Sequence, residues 1–304
     1  MYAPIILFAF NRLEPLKACI GSLLQNTEAA ESNLIVYVDG ARVSRQGEAE
    51  KVDAVKQFVK SIVGFKSVET HFSEENKGLG TSIIAGVTDV INRYGSAIVV
   101  EDDLILGKNY LAFMNKCLDI YKTNSCIFSV CGYSVELKIP QNYPYDIYVG
   151  PRSTSWGWAT WKDRWDKCDW ELENWAEVEK NAKAFNRWGG SDCYTMLRNW
   201  KNGINKSWAI RFCYNQFLYK ADAVFPIISH VKNVGFDGNG TNCKRFNRYK
   251  YGFDESRNKE FKIPIQCVKN RSLIRQKLKY NSLARRAYSC IMNILYEKCG
   301  WLGK

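Results

Sequence analysis

In the first 135 residues, short continuous apolar runs alternate with longer stretches in which apolar residues recur every three or four positions. The runs predict buried strands, and the spacing of three or four predicts amphipathic helices. Five strands are predicted, at 4–10, 33–40, 67–73, 97–103 and 126–133. Four helices are predicted between them, at 13–26, 48–63, 79–95 and 109–123.

Strands that alternate with helices predict an α/β fold, with a mostly parallel, Rossmann-like sheet flanked by helices. In such sheets ligands bind beyond the carboxyl ends of the strands. Three of these ends carry polar residues: Asn11 with Arg12, then Asp39, then the acids at 101–103. We expect these side chains to meet in one crevice.

The pattern weakens after Tyr133. Helices are predicted at about 176–188 and 193–200 and again from Ser207, followed by a short strand at 224–228 and a Gly-rich loop. The chain therefore continues the fold in a less regular second part and ends in a separate tail.

The strand at 97–103 ends in three consecutive acids, Glu101, Asp102 and Asp103. Like charges side by side repel, so acids at the end of a buried strand require a positive partner. Mg²⁺ and Mn²⁺ bind oxygen ligands, typically one or two carboxylates together with substrate phosphates. The triplet predicts a metal that bridges the protein to a diphosphate. The alternative is an acidic helix N-terminus, because the helix at 109–123 follows.

The segment from Glu75 to Val87 is a Gly-rich turn that leads into a helix. Its backbone N–H groups and Lys77 suit a phosphate, but it is neither a P-loop nor a GxGxxG motif, and an ordinary turn is the alternative. Asp39 could accept hydrogen bonds from a base or ribose, or it could belong to a turn-forming Asp-Gly pair.

Four segments, which begin at Phe10, Val36, Glu75 and Tyr94, together resemble the GT-A class of nucleotide-sugar-dependent glycosyltransferases. The similarity is to the N-acetylglucosaminyltransferase I family and its bacterial relatives, and more distantly to family 2 transferases. The acid triplet corresponds to the DxD motif of that family. The segments "SWGW" and "SWAIRF" also look like those of bacterial members.

The resemblance implies a metal-dependent, inverting transfer of a sugar from a UDP-sugar to a hydroxyl of a glycan or lipid-linked glycan acceptor. The cofactor would be Mn²⁺ or Mg²⁺, and the pathway would be bacterial surface polysaccharide synthesis. Residues 1–135 would form the donor-binding half, 136–265 the acceptor-binding and catalytic half, and 266–304 a basic helical tail.

The resemblance also implies roles for individual residues. Asp103 would contact the metal, Glu101 and Asp102 would hold the ribose or the donor sugar, and Asp39 would face the base. Further residues would lie near the nucleotide or in the loop that closes over the donor: Asn11, Arg12, Lys77, Gly78 and Gly80.

An inverting enzyme needs a general base near the acceptor hydroxyl. In the resembled family an Asp just after a Trp has this role, whereas here Ala209 follows Trp208. Asp192 and Asp237 are the substitutes, each with a structural role as its alternative. Related transferases often place a late His on the metal, and at that position this chain has Asn242.

Six of the ten Trp residues lie between Trp156 and Trp175. Aromatic rings can stack on sugars, and they also fill cores. We expect most of these six to be core residues, with Trp156 and Trp158 facing the acceptor. Arg211 could pair with a charge of the acceptor or a phosphate, or with a neighbouring acid.

The net charge is +12, and the last 38 residues carry nine cations against one acid. Cations alternate with apolar residues there, as in a helix that lies on an anionic membrane surface. The alternative is a packed helical pair with a solvated basic face. The tail thus leaves contact with the inner face of the plasma membrane open.

The eleven Cys include no CxxC pair and are expected to be buried, reduced thiols. The first residues do not resemble a signal peptide, and no stretch is long enough to span a bilayer, so a cytoplasmic location is expected.

Two other classes compete with a glycosyltransferase. A nucleotidyltransferase would have a Gly-rich signature directly after the first strand, and "FAFNRLEP" has none. A non-catalytic nucleic-acid or membrane binder that uses the basic tail would leave the acid triplet unexplained. We therefore expect no nucleic-acid partner.

Overall fold

The computed structural model describes residues 2–236, 246, 251–257 and 260–299. Its strands are β1 (Ile5–Ala9), β2 (Asn33–Val38), β3 (Ser67–Phe72), β4 (Ser96–Glu101), β5 (Leu104–Leu106), β6 (Ile127–Cys131), β7 (Ile147–Gly150), β8 (Trp158–Trp161), β9 (Asp222–Pro226) and β10 (Val231–Asn233). Its α-helices are α1 (Leu13–Leu23), α2 (Glu48–Lys60), α3 (Leu79–Tyr94), α4 (Tyr110–Ile120), α5 (Lys162–Trp165), α6 (Trp175–Gly189), α7 (Cys193–Lys201), α8 (Trp208–Leu218), α9 (Arg271–Lys279) and α10 (Leu283–Cys299).

In the described part of the chain, eight strands form one sheet in the order β3-β2-β1-β4-β8-β6-β9-β7. Strands β3, β2, β1 and β4 are parallel, and β6 and β9 run in the same direction, whereas β7 and β8 are antiparallel to their neighbours. The prediction of an α/β fold with a mostly parallel sheet between helices is confirmed. The five strands and four helices predicted for the first 135 residues are all present.

Strand β8 was not predicted, and it changes the topology. It lies between β4 and β6 and is antiparallel to both, so these two parallel strands do not pair with each other. Its four residues, Trp158–Trp161, are all buried. A buried strand this short shows no alternation of polar and apolar residues, so its sequence cannot be distinguished from other buried segments.

Apolar side chains cover both faces of the sheet. On one face Leu16 and Val55, from α1 and α2, belong to the same buried cluster as Leu7 and Val36. On the other face Ile83 of α3 belongs to a cluster with Trp158, Trp165 and Trp208. The Cys residues that the structure describes are free thiols, and five of them are buried. No helix of the described residues is long and apolar enough to cross a membrane.

The parallel arrangement fixes where the predicted polar residues lie. Ala9 is opposite Val38, and Phe8 is opposite Glu101. The carboxyl ends of β1, β2, β3 and β4 therefore form one edge of the sheet, which we call the polar edge.

Candidate functional site

The acid triplet forms a turn at the polar edge, which we call the acid turn. Glu101 is the last residue of β4, and Asp102 and Asp103 link it to β5. The Asp102 amide donates to the carbonyl of Phe8 (3.1 Å), which ties the turn to β1. Asp102 and Asp103 are both buried. The acids are thus held by sheet hydrogen bonds away from bulk water.

The cation that meets these acids is Arg12, which follows β1 and precedes α1. Its Nη2 donates to Asp102 Oδ1 at 2.5 Å and lies 3.1 Å from Asp103 Oδ2. In the described ranges, no other ion pair with Asp102 or Asp103 is found. Glu101, Asp102 and Asp103 carry three negative charges against the one guanidinium that the described residues place on the turn, so the fully ionised turn has two negative charges in excess.

The pKa values of the acids reflect this excess. Burial raises the pKa of Asp102 to about 6, although Arg12 acts in the opposite direction. Burial and the charges of Asp103 and Asp102 raise the pKa of Glu101. Both carboxyls are therefore less acidic than usual, because one guanidinium does not offset the repulsion and the lost hydration.

The structure argues against the alternative in which these acids cap a helix. Strand β5 separates the acid turn from α4, which begins seven residues after Asp103. The N-cap residue of α4 is Asn109, whose Nδ2 donates to the carbonyl of Ser256 (2.8 Å). The acids thus lie outside the first turn of α4, where the helix dipole acts.

Two residues that the sequence did not single out, Asn233 and Gly235, cover the acid turn. Strand β10 pairs with β5, and the Val234 amide donates to the Asp103 carbonyl (2.9 Å). A Cβ at Gly235 would collide with Asp103 Oδ2 and lie 3.1 Å from Asn233 Oδ1. Only glycine allows the backbone to approach the carboxylate this closely. The contact joins residues far apart in sequence, so no local pattern could have indicated it.

Asn11 lies on the polar edge beside Arg12. Its Nδ2 donates to Glu48 Oε1 (3.1 Å), and Glu48 is also paired with Arg42. The Arg42 guanidinium lies 5.3 Å from the centroid of the Phe10 ring. Asn11 is therefore near the acid turn, but its amide is engaged in a neighbouring polar cluster.

The Asp39 carboxylate binds the loop between β3 and α3. Oδ1 accepts from the amides of Gly40 (3.0 Å) and Lys77 (2.9 Å), and Oδ2 accepts from Gly78 N (2.8 Å) and Asn76 Nδ2 (3.2 Å). These four hydrogen bonds fit the alternative in which Asp39 shapes a turn. Asp39 thereby fixes the residues that precede α3, and the Lys77 side chain remains exposed.

Gly78 and Gly80 have different environments. Gly78 has a positive φ of 79°, which glycine adopts without strain and which starts α3. Gly80 is buried in the first turn of α3, where a Cβ would lie 2.6 Å from the Lys206 carbonyl oxygen. Gly80 thus permits packing against the segment before α8, and Gly78 shapes the loop.

Trp156 lines a cavity of about 200 Å³. The rings of Tyr133 and Phe236 pack edge-on against the Trp156 ring, with centroids 4.5 and 5.7 Å from the Trp156 centroid. Phe236 follows Gly235, so the backbone that covers Asp103 leads directly to Trp156. The cavity is also lined by Met196 and by the hydroxyl residues Ser153, Thr154 and Ser155.

Trp158 and Arg211 lie elsewhere, in closed contacts. Trp158 is 1% exposed and stacks on Trp208, with ring centroids 4.9 Å apart. Arg211 is buried, donates to the Trp170 carbonyl (2.7 Å), and lies 4.6 Å from the centroid of Trp200. Trp158 thus belongs to the packing between the sheet and α8, and Arg211 belongs to the packing of α8 against α7 and the segment that contains Trp170.

Asp192, one of the two predicted bases, is buried and paired with Arg152. Its Oδ1 and Oδ2 accept from Arg152 Nη1 (2.7 Å) and Nη2 (3.0 Å). Burial alone would raise the pKa of Asp192, but the Arg152 charge lowers it below the usual value. A carboxylate held in this way is a weak base. Asp237 and Asn242 lie outside the described residues.

No protein-family model matches the chain, and no curated protein matches its sequence. The solved structures that match include S. aureus TarS, which is 13% identical over 51% of this chain and 25% of its own, with a TM-score of 0.32. They also include a cytidylyltransferase from Leptospira borgpetersenii serovar Hardjo-bovis (strain JB197), 13% identical over 60% of this chain and 73% of its own, with a TM-score of 0.34. The chain thus corresponds to a quarter of the TarS chain. Neither similarity identifies a family or an activity.

Proposed function

We propose that the protein is a metal-dependent glycosyltransferase that moves a sugar from a UDP-sugar to a hydroxyl of a glycan or lipid-linked glycan acceptor. The observation that carries this proposal is the negative excess of the acid turn at the carboxyl ends of parallel strands. Three carboxylates and one guanidinium have a net charge of −2 when ionised, which one divalent cation would neutralise. A glycosyltransferase that binds its donor through a metal ion requires such a site.

The donor set fits Mn²⁺ or Mg²⁺, because carboxylate oxygens are the ligands that these hard cations prefer. Asp103 would hold the ion, and Glu101 and Asp102 would hold the ribose or donor sugar. When bound, the ion would act as a Lewis acid that offsets the charge of the nucleoside diphosphate.

The other residues of the polar edge would bind and orient the donor. Arg12 fixes the orientation of Asp102 and Asp103 through its two contacts. Asp39 fixes the backbone of Lys77 and Gly78 at the start of α3, where a helix N-terminus favours an anionic group. Trp156 offers an aromatic ring to an acceptor sugar next to the acid turn. Inversion at the anomeric carbon is proposed from the family resemblance.

The proposal is tested by calorimetry of UDP and UDP-N-acetylglucosamine binding, with Mn²⁺ and with EDTA. We expect binding that requires Mn²⁺ and that falls about tenfold or more in Asp103→Asn, because the variant loses a charged oxygen ligand. Asp53→Asn, a matched change at an exposed position of α2, should bind like the wild type. Binding that is equal in EDTA, or equal in Asp103→Asn, would contradict the proposal.

A product assay separates glycosyl transfer from nucleotidyl transfer. With a UDP-sugar and Mn²⁺, a glycosyltransferase releases UDP as it transfers the sugar. The transfer is slow when water is the acceptor and faster when a glycan acceptor is present. A nucleotidyltransferase instead releases pyrophosphate from UTP and a sugar phosphate. Detection of pyrophosphate without UDP release, by mass spectrometry, would replace our proposal with the second activity.

A further inference from the structure

Helix α10 has its apolar face turned to solvent and polar residues turned inward. Its large apolar side chains are between 45% and 69% exposed: Leu283, Tyr288, Ile291, Ile294 and Leu295. Their successive spacings of five, three, three and one residues place them within an arc of about 140° on one side of the helix. A packed helix would bury this side, so an apolar surface of this kind indicates a binding partner.

The side of α10 that faces the protein is polar. Ser289 and Asn293 are buried there, 9% and 6% exposed. Asn293 Oδ1 accepts from the Phe246 amide (3.1 Å), and Asn293 Nδ2 donates to the Ser289 carbonyl (2.8 Å). Arg286 Nη1 lies 3.3 Å from Ser191 Oγ. The contacts with Phe246 and Ser191 fix the rotation of the helix, so the apolar side cannot turn inward without breaking them.

The charged residues around this apolar face indicate which class of partner it can bind. Between Phe261 and Leu295 the sequence has eight Lys and Arg and no Asp or Glu. Among these cations Arg271, Arg275 and Arg285 are exposed. In a two-fold dimer the same surface would meet itself and bring like charges together. Nucleic acid would pair with the cations but would leave the exposed Ile and Leu side chains without a partner.

We propose that α10 is an interfacial helix that binds the surface of an anionic lipid bilayer. The apolar side chains would enter the boundary between headgroups and acyl chains, and the flanking cations would pair with anionic headgroups. The sequence alone left this interpretation and a solvated basic face equally open. The outward apolar face distinguishes them, and it does so independently of any catalytic function.

The test is flotation of the full chain with phosphatidylcholine vesicles, with and without phosphatidylglycerol. We expect binding only when phosphatidylglycerol is present, and weaker binding as salt is added. Ile291→Asp should lower the binding constant for vesicles about tenfold or more, because it would place a charge at the boundary with the acyl chains of the bilayer. Arg285→Gln should lower it about fivefold, the effect of one cation near an anionic surface.

Val63→Asp is the matched control, because Val63 is 77% exposed and lies next to β3, at the opposite end of the sheet from β7, against which α9 packs. It should leave vesicle binding unchanged. Equal binding to both kinds of vesicle, or no effect of Ile291→Asp, would overturn the proposal. So would a dimer in sedimentation velocity that Ile291→Asp dissociates, or RNA binding without vesicle binding. Circular dichroism checks that Ile291→Asp folds; if it does not, Arg285→Gln and the salt dependence decide.

Discussion

The acid turn and the Arg152–Asp192 pair each join buried carboxylates to a partly exposed arginine, but they differ in charge balance. In the pair, one guanidinium meets one carboxylate through two hydrogen bonds. In the acid turn, one guanidinium contacts two carboxylates, Asp102 and Asp103, and a third, Glu101, lies beside them. The partner charge lowers the pKa of Asp192, whereas burial raises the pKa of Asp102 against the effect of Arg12.

This difference separates a structural contact from a candidate site. A balanced pair satisfies itself and needs no further ligand. An unbalanced cluster persists only where the rest of the fold stabilises it or where a ligand supplies the missing charge. The carboxylates of the two regions share burial and differ in charge balance, and the opposite pKa changes of Asp102 and Asp192 reflect that difference.

The largest expected effect is on the balanced pair. Asp192→Asn removes the counter-charge that the buried Asp192 provides to Arg152, so the free energy of unfolding should fall by about 3–5 kcal/mol. Urea denaturation measures this loss, and Arg152→Met combined with Asp192→Leu should recover much of it. Metal-dependent nucleotide binding by the folded variant should not change. Unchanged stability with lost nucleotide binding would reverse the roles assigned to the two regions.

Lys277 is a buried cation for which the described residues provide no ion-paired acid, and it extends the comparison. Lys277 Nζ donates to the carbonyls of Pro151 and Arg152 and lies 3.9 Å from the centroid of Phe225. Burial lowers the pKa of Lys277 to about 7, with Arg152 acting in the same direction and Cys131, Cys213 and Asp222 opposing it.

The pH dependence of stability follows from this pKa. Above pH 7 the folded state releases the Lys277 proton while the unfolded chain retains it, so stability rises with pH. The gain between pH 7 and pH 9 should be about 2 kcal/mol, measured by urea denaturation at each pH. Lys277→Met should lack this gain. An equal slope in both proteins would mean that Lys277 does not titrate in this range.

Removal of the one guanidinium at the acid turn should have a smaller effect that depends on metal. Arg12→Gln leaves three carboxylates without a counter-charge, so stability in EDTA should fall by about 2 kcal/mol. Mn²⁺ should raise the melting temperature of this variant more than that of the wild type, as differential scanning fluorimetry can measure. If Mn²⁺ raises neither melting temperature, the excess charge does not form a metal site.

The smallest expected effect is an increase in stability rather than a loss. Asp103→Asn removes one of the mutually repelling charges, so stability in EDTA should rise by about 1 kcal/mol. The same variant is expected to lose metal-dependent nucleotide binding. Greater stability with weaker ligand binding is typical of a site in which function requires unfavourable charge. A loss of stability in EDTA would instead make Asp103 a structural residue like Asp192.

Much of the fold could be predicted because its first half follows local rules. Strands β1, β2 and β4 are continuous apolar runs, and α1 to α4 have regular helical spacing. Strands β7 and β8 have four residues each and could not be distinguished from other buried segments, so the antiparallel insertion was missed.

The candidate site could be predicted in part. Arg12 and the acids follow strands, so their meeting depends only on parallel topology. Trp158 and Arg211 were predicted to face the acceptor and lie in closed contacts, because sequence does not show which aromatic residues pack on one another. Gly235 covers Asp103 through a long-range contact that a single sequence does not reveal.

During translation β5 is synthesised well before β10, the strand with which it pairs. The acids and Arg12 emerge in the first third of the chain, whereas Gly235 emerges about 130 residues later, which corresponds to about ten seconds of translation. During this interval the nascent chain has an acid turn with no backbone over Asp103. A divalent cation of the kind we propose would therefore reach these carboxylates before the chain closes over them, and the last step of folding would complete the site around it.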